Sequence, residues 1–480
     1  MAFRLRPNPH LYEVNARIFL ERLSRGNPRP LSLSTVPEEI WRGMARRGFD
    51  LVWLMGVWQR SPAARRAALD HPDLRGAYDE SLPGWSESDV GASPYAIFDY
   101  VLDRSLGESA ELAVVRASLN REGLGLILDF VPNHLAMDHP WVVSHPDRFV
   151  SGSEAGIREH PDWYFTSDGT IFLAHGRDPN FPPWTDTVQV NFFSPELRDG
   201  LLGELLRIAE TADGVRCDMA MLGLNDVFGR VWGLPDPPAV EFWSEIIGGV
   251  RRAFPGFLFI GEAYWGLEQA LLRLGFDFVY DKAFYDKLRW GSAREIREHL
   301  GSFDGSRSVR FIENHDEPRA ASAFGRERLG AATAILATVP GLRLFHDGQL
   351  EGRRVRLPVQ LQREPEEPAD PEVSRMLERI LQITSAPAYH EGIWTPMETG
   401  NDVLAWSWRL DRELKIVLVN YAPDGALARV SAPAPAGGGW DPVVRDEMTG
   451  SVDRLEGVLE VVIGPWEARL LDLSMGESSS

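Results

Sequence analysis

The sequence has a single cysteine, Cys217, among 480 residues, so an intrachain disulfide is excluded. It also lacks any apolar run of the roughly 18 residues that a membrane-spanning helix needs. The N-terminal stretch MAFRLRPNPHLYEVNARIFL has no apolar core of signal-peptide length. We therefore expect a cytoplasmic protein without a membrane partner.

Basic residues are fewer than acidic residues. Lys and Arg number 50 against 70 Asp and Glu, which gives a formal net charge of -20. A nucleic-acid binder shows a basic patch, and anionic lipid attracts basic segments, so neither partner is expected. Lysine occurs only at Lys282, Lys287 and Lys415. Recognition of anions by arginine would explain that bias, but a compositional or stability preference is the simpler explanation.

The length exceeds the roughly 250–300 residues at which a single core stops growing, so more than one domain is expected. Short apolar runs alternate with amphipathic, helical stretches, and several runs are apolar on both faces, as buried parallel strands are. The runs cover residues 12–19, 51–55, 125–130, 214–218, 257–261, 276–280, 309–313 and 342–345. Eight such units predict an α/β fold of the closed (β/α)₈ barrel type.

Two further segments interrupt or follow this pattern. Residues 135–190 separate the third strand from its helix, and a connection of that length predicts an inserted domain. Short alternating strands from residue 391 to residue 474, broken by a turn segment at 432–440, predict a C-terminal antiparallel β-sandwich. The barrel would then occupy residues 1–134 and 191–390, with a mobile tail at 475–480.

Four of the predicted strands end in dense polar clusters. They read DFVPNH (129–134), GVRCD (214–218), GEAYW (261–265) and FIENHD (311–316). A lone Asp or His after a strand is usually a cap or turn residue. The carboxyl ends of parallel barrel strands share one face, however, so four clusters there indicate a functional site.

The residue types in these clusters favour glycosidic bond chemistry. Three carboxylates, Asp218, Glu262 and Asp316, accompany Arg216 and histidines, without a zinc-ligand cluster, a phosphate loop or a dinucleotide-binding glycine motif. Paired carboxylates can supply a proton and attack or stabilise an oxocarbenium-like centre.

Spacing suggests a role for two of the carboxylates. Arg216 and Asp218 are two residues apart on one strand and point to the same face, so the guanidinium should lower the pKa of Asp218, as suits a nucleophile. Glu262 precedes Ala263, Tyr264 and Trp265, and apolar, aromatic surroundings should raise its pKa, as suits a general acid.

The four clusters, in this order and at about this spacing, resemble the four signature regions of the alpha-amylase family of glycoside hydrolases and transglycosylases (glycoside hydrolase family 13-like). The insertion resembles the domain B of that family, and the C-terminal sandwich resembles its domain C. The resemblance implies a retaining double displacement at an α-glucosidic bond. It also implies a set of roles. Asp218 matches the nucleophile, Glu262 the general acid/base and Asp316 the third carboxylate, while the substrate-binding positions match at Tyr95, His134, Arg216, His315 and Arg319.

The sequence departs from the family at the positions where many amylases carry a Lys-His pair that binds the +1 sugar. Met221 and Leu222 stand there, which argues against hydrolysis of long starch chains. Asn133 and Asp186 match part of the calcium site of the family, but calcium usually needs six to eight oxygen ligands. We therefore expect no cofactor and no bound metal, with calcium as the less favoured alternative.

The predicted function is cleavage of short α-glucans or α-glucosides, or transfer of the glycosyl group to an acceptor sugar. Water and a sugar hydroxyl compete for the same covalent intermediate, so the signature residues leave hydrolysis and transfer open. The alternative is a catalytically silent carbohydrate-binding or interaction protein on the same scaffold. The presence of all three carboxylates favours the enzyme.

Overall fold

Eight parallel strands close into a barrel at the centre of the protein, which confirms the predicted fold. The computed structural model describes residues 3–302, 305–431, 443–454 and 458–474; the predicted turn segment 432–440 and tail 475–480 lie outside them. Neighbouring barrel strands follow chain order, and the last pairs with the first. The strands are β1 (His10–Asn15), β2 (Leu51–Met55), β3 (Gly125–Phe130), β4 (Gly214–Cys217), β5 (Leu258–Gly261), β6 (Phe278–Tyr280), β7 (Ser308–Arg310) and β8 (Leu342–His346).

Two strands end three or more residues before the predicted end. The first strand was predicted to run to residue 19, but it ends at Asn15, whose side chain accepts hydrogen bonds from the backbone N–H groups of Arg17 and Ile18. This N-cap starts a helix at Ala16. The seventh strand ends at Arg310, so the cluster 311–316 lies in the loop beyond the ladder rather than partly within it.

Helices surround the barrel and fill the connections. Their bounds are Ala16–Ser24, Glu38–Arg46, Pro62–Asp70, Pro72–Ser81, Glu111–Arg121, Trp141–Ser144, Glu154–Glu159, Pro195–Thr211, Asn225–Trp232, Phe242–Ala253, Glu268–Arg273, Lys282–Trp290, Ala293–Ser302, Ala320–Ala323, Gly325–Thr338, Pro371–Thr384 and Ala388–Glu391. Within the described ranges, no helix combines the length and apolar character that crossing a bilayer requires.

The insertion after β3 begins and ends in one small sheet. The strand His134–Ala136 pairs antiparallel with Thr187–Gln189, so both ends of the segment emerge together at the mouth of the barrel. A second hairpin pairs Tyr164–Thr166 with Phe172–Ala174. A further short sheet, Trp58–Arg60 with Ile97–Leu102, follows β2.

The C-terminal region contains two antiparallel sheets that face each other, as predicted. Its strands are β9 (Ile393–Pro396), β10 (Leu404–Leu410), β11 (Glu413–Val419), β12 (Ala426–Ser431), β13 (Val443–Asp446), β14 (Val452–Arg454), β15 (Val458–Ile463) and β16 (Ala468–Ser474). The larger sheet has the order β9-β10-β11-β16-β13-β14, and β12 pairs with β15. Ile416 and Leu473 of the first sheet share a core with Val430 and Ile463 of the second.

Trp408 of β10 joins this region to the barrel. Its side chain is 1% exposed, and its indole N–H donates to the carbonyl oxygen of Thr338 at 2.7 Å. Tyr421 adds a second hydrogen bond across the same interface, from its hydroxyl to the carbonyl oxygen of Leu288. Burial of large aromatic side chains with satisfied polar atoms makes such a contact stabilising.

We expect Trp408→Ala to lower the free energy of unfolding by about 3–5 kcal/mol, because it leaves a cavity and an unpaired carbonyl. Trp290→Ala is the matched control, since Trp290 is 74% exposed and should change the urea midpoint little. Equal midpoints for the two variants in urea unfolding would contradict the packing role of Trp408.

Candidate active site

The predicted site residues gather where the barrel strands end. Arg216 lies on β4, and Asp218 is the first residue after that strand. Glu262 is the first residue after β5, and it is 3% exposed. His315 and Asp316 stand in the loop after β7. The structure therefore brings the three predicted carboxylates to one face, as the parallel topology requires.

Arg216 is the centre of this arrangement. Its Nη1 lies 2.5 Å from Asp218 Oδ1 and its Nη2 lies 2.8 Å from Glu262 Oε2, so one guanidinium bridges two carboxylates. The side chain is 1% exposed. The rings of Trp53, Tyr95 and Tyr280 surround it, with centroids 5.3, 5.4 and 5.6 Å from its Cζ. Enclosure by aromatic rings strengthens its interaction with both carboxylates by excluding water.

Burial governs the protonation of the two bridged carboxylates. It raises the pKa of Asp218 and of Glu262, and Arg216 only partly offsets that effect. The prediction for Glu262 is confirmed in direction. The prediction that Asp218 has a lowered pKa is wrong, because desolvation of the buried carboxylate outweighs the neighbouring guanidinium.

The groups around Glu262 hold its carboxylate in place. The Tyr264 hydroxyl donates to Oε1 at 2.7 Å, and the backbone N–H of Met219 donates to Oε2 at 2.6 Å. Met219 reaches this position in the left-handed region, with φ 43°, at a cost of about 1 kcal/mol for an L-residue. The backbone after β4 is thus shaped to bind the carboxylate that follows β5.

The two positions of the Lys-His pair lie in the core. Met221 is 0% and Leu222 is 3% exposed, within the short 3₁₀ helix Ala220–Gly223. These side chains pack inward and present no polar group to a sugar.

His315 lies between several polar groups. Its Nε2 is 3.0 Å from Asp316 Oδ2 and 2.7 Å from the Tyr95 hydroxyl, and the Tyr95 ring stacks on the imidazole. Desolvation acts to raise the pKa of Asp316, but the nearby charges of His315 and Arg216 hold that pKa below its usual value. The side chain of Asp316 is 48% exposed, so it borders the open part of the site.

The two remaining predicted binding residues lie at the edges. His134 is buried with its ring 4.9 Å from that of Trp184, and burial lowers its pKa to about 4. Arg319 is 5% exposed, and its Nη1 lies 2.9 Å from Glu313 Oε1 while its Nη2 donates to the carbonyl oxygen of Asp347 at 2.8 Å. Contact of either residue with a sugar stays a prediction.

Asn133, which matches part of the calcium site of the family, is bound by a neighbouring side chain. The side-chain oxygen of Asn133 already accepts a hydrogen bond from Gln189 Nε2 at 3.1 Å. In the described part of the chain, no group of three or more His, Cys, Asp or Glu side chains is placed to hold a metal ion. The expectation of no bound calcium stays a prediction.

Sequence reasoning missed Glu13 of β1. It is 0% exposed, and its Oε1 lies 2.5 Å from Nδ1 of His315. The available signal was a carboxylate between Tyr12 and Val14 in the barrel strand HLYEVN, which burial disfavours unless the charge has a partner. The partner follows β7, so the sequence alone does not identify it.

A structural unit that we call the cap also went unpredicted. It consists of the helices Pro62–Asp70 and Pro72–Ser81 and the segment 355–363, which follows β8. Leu361 is fully buried against the cap helices, and the backbone N–H of Gly91 donates to the carbonyl oxygen of Gln360 at 2.8 Å. A cavity of ≈ 600 Å³ lies between the cap and Asp316, bordered by Glu80 and Arg356. The cap thus bounds the open side of the site.

Known proteins similar to this chain are alpha-amylases and related transferases. Alpha-amylase MalA from Haloarcula japonica is 28% identical over 299 residues, which cover 60% of this chain and 41% of that protein. The alpha-1,4-glucan:maltose-1-phosphate maltosyltransferase of Mycolicibacterium smegmatis is 26% identical over 308 residues, which cover 62% of this chain and 37% of that protein. The aligned regions therefore span less than half of either relative. No family model matches the chain.

The crystal structure of an alpha-amylase from Geobacillus thermoleovorans complexed with acarbose superimposes with a TM-score of 0.70 at 18% identity. The superposition covers 99% of this chain and 100% of the amylase chain. At that identity the superposition establishes the fold. The two relatives bear out the resemblance to the alpha-amylase family in sequence.

We expect Arg216→Met to cost about 3–5 kcal/mol of stability at pH 7, because two buried carboxylates lose their shared counter-charge. The cost should shrink as the pH falls towards 4. Without Arg216 the carboxylates have still higher pKa values when folded, so the folded state takes up more protons than the unfolded one.

Urea unfolding at several pH values measures this effect. Arg251→Met is the control, because Arg251 pairs with Asp277 through side chains that are 32% and 30% exposed and should cost less than about 1 kcal/mol. A pH-independent loss in Arg216→Met would contradict the electrostatic explanation.

Proposed function

We propose that this chain is an alpha-amylase-type enzyme that cleaves α-glucosidic bonds of short α-glucans or α-glucosides with retention of configuration. The observation that carries the proposal is the single buried guanidinium of Arg216, which bridges Asp218 and Glu262. Retaining glycosidases need two carboxyl groups about 5–5.5 Å apart, and two carboxylates bound to one guanidinium are held close together. The alpha-amylase and maltosyltransferase relatives support the substrate class.

In the first step, Glu262 donates its proton to the glycosidic oxygen while Asp218 attacks the anomeric carbon. The bond from that carbon to oxygen breaks, the leaving sugar departs with the proton, and an ester to Asp218 forms. In the second step, Glu262 takes a proton from water or an acceptor hydroxyl, whose oxygen displaces Asp218. The raised pKa of Glu262 supports its role as the proton donor.

The remaining residues bind and orient the sugar. Asp316 is ionised and borders the open cavity, so it is placed to accept hydrogen bonds from sugar hydroxyls and to favour positive charge on the ring. His315 and Tyr95 lie beside it, and His134 stands at the entrance of the insertion. Arg216 fixes the position of the nucleophile.

Two features support short substrates. The cap borders the open cavity next to Asp316, and the positions of the Lys-His pair hold buried Met221 and Leu222. Either water or an acceptor sugar can react in the second step. The relatives' names include both kinds of enzyme, an amylase and a maltosyltransferase.

We expect Asp218→Asn to lower kcat/KM on maltooligosaccharides by about 10³-fold or more. Glu262→Gln should lose about 10²–10⁴-fold on the same substrates. Its loss should be much smaller on p-nitrophenyl α-glucosides, because that leaving group departs without a proton. Chromatography of the products with and without added acceptor sugars measures turnover and separates hydrolysis from transfer.

The leaving-group comparison also tests the assignment of Glu262. Equal losses on both substrate types would contradict a role in protonating the leaving group. Binding of maltooligosaccharides without turnover, unchanged in Asp218→Asn, would favour the carbohydrate-binding protein over the enzyme.

We expect Leu361→Ala to raise activity on amylose relative to maltotriose severalfold, because loss of a fully buried leucine loosens the cap beside Asp316. Leu427→Ala is the control, since Leu427 is 39% exposed on the C-terminal sandwich. Initial rates on the two substrates give the ratio. An unchanged ratio, with a lowered melting temperature, would mean that the cap does not limit chain length.

A further inference from the structure

We infer that Glu13 is a positioning residue that keeps His315 doubly protonated, so that the imidazolium holds and orients Asp316. This inference rests on the proposed function, in which Asp316 acts on the sugar. The three side chains form a continuous line from the inside of the barrel to the open cavity. The line is Glu13 Oε1 to His315 Nδ1 at 2.5 Å and His315 Nε2 to Asp316 Oδ2 at 3.0 Å.

The positions of the two carboxylate oxygens beside the ring nitrogens favour two protons on the ring. Each ring nitrogen faces a carboxylate oxygen, and an ionised carboxylate only accepts hydrogen bonds. A neutral imidazole has one N–H, so one of the two contacts would set a nitrogen lone pair against a carboxylate. The Tyr95 hydroxyl, 2.7 Å from Nε2, does not remove that conflict, because Asp316 would still face the lone pair.

Burial stabilises the contact between Glu13 and His315. Glu13 is 0% exposed, and the imidazole of His315 is 3% exposed, so water does not compete for their contact. The backbone supports the other end. The side-chain oxygen of Asn314 accepts hydrogen bonds from the backbone N–H groups of Asp316 and Glu317, which fixes the turn that carries Asp316.

The charged groups on every neighbouring element favour the imidazolium. The negative groups that interact with His315 are Glu13 of β1, Asp129 of β3, Asp218 after β4 and Asp316 of its own loop. Arg216 of β4 and His346 of β8 oppose them through Coulomb interactions with Asp316 and Glu13. Tyr95 adds a neutral hydroxyl, and the Trp53 ring meets the imidazole edge-on. The pKa of His315 lies well above its usual value as a result, despite burial.

Glu13 thus acts through His315 and does not itself reach the open cavity. Removing its charge should allow His315 to lose a proton at ordinary pH. Asp316 would then lose the cation that holds it, and the site would lose activity as the pH rises. A residue needed only for folding would lower activity at all pH values alike.

The test uses the full-length protein and its Glu13→Gln variant. Gln keeps the size of the side chain and removes its charge. We expect NMR of ¹⁵N-histidine-labelled protein, without substrate, to find His315 cationic through pH 8 in the unchanged protein. In Glu13→Gln it should titrate near its ordinary value of about 6.5. Comparison with His315→Gln assigns the signal among the 11 histidines.

Activity gives the second readout. If His315 in Glu13→Gln titrates near about 6.5, kcat/KM should fall by about 30-fold at pH 8 but by less than about twofold at pH 6. Glu13→Asp, which keeps the charge on a shorter side chain, should keep His315 cationic at pH 7. Asp281→Asn is the matched control, because Asp281 is also a buried carboxylate bound to a histidine, His299, and the pH profile should not change.

Two results would overturn the inference. One is a neutral His315 at pH 7 in the unchanged protein, a measurement that does not depend on any variant folding. The other is a folded Glu13→Gln variant with the charge state of His315 and the pH profile unchanged. Failure of the proposed function is distinct, because the NMR titration needs no substrate: a cationic His315 in a protein that turns over no α-glucoside would refute the enzyme and leave the Glu13–His315 pairing intact.

Discussion

The site depends on one buried positive charge. Arg216 is enclosed by three aromatic rings and lies within hydrogen-bond distance of two carboxylates whose pKa burial raises. Coulomb interactions are strong where water is excluded, so the guanidinium sets both the separation and the ionisation of Asp218 and Glu262. The barrel supplies the enclosure, because neighbouring parallel strands bring the side chains to the same end.

A second charged line crosses the same end of the barrel. Glu13, His315 and Asp316 alternate in sign, and the last of them faces the cavity beneath the cap. The two systems meet at Tyr95, whose ring lies over Arg216 and whose hydroxyl contacts His315. One system holds the groups proposed to make and break bonds, and the other holds the group proposed to bind the distorted sugar. Because the two systems are separate, Asp316 can be ionised while Glu262 carries a proton in the same site.

Much of the fold was predictable because its signals are local. The strand 51–55 and the strand 125–130 are marked by continuous apolar runs, and the structure has them at the same bounds. The first strand was predicted too long because the apolar pattern continues through Ile18 and Phe19 into a helix. The capping side chain of Asn15 decides that boundary. Strands such as Ala426–Ser431 are short and half exposed, so their pattern was too weak to identify.

The features of the candidate site likewise divide into those that the local sequence indicates and those that depend on the fold. The types and order of the residues in DFVPNH, GVRCD, GEAYW and FIENHD already indicate glycosidic chemistry, since that chemistry resides in side chains that each segment carries at a strand end. The net pKa of Asp218, the partner of Glu13 and the position of the cap lie beyond any local pattern. Glu13 and His315 are 302 residues apart, and the protonation of each group depends on how completely the folded barrel removes it from water. Local chemistry is encoded residue by residue, whereas distance and burial exist only once the chain has closed.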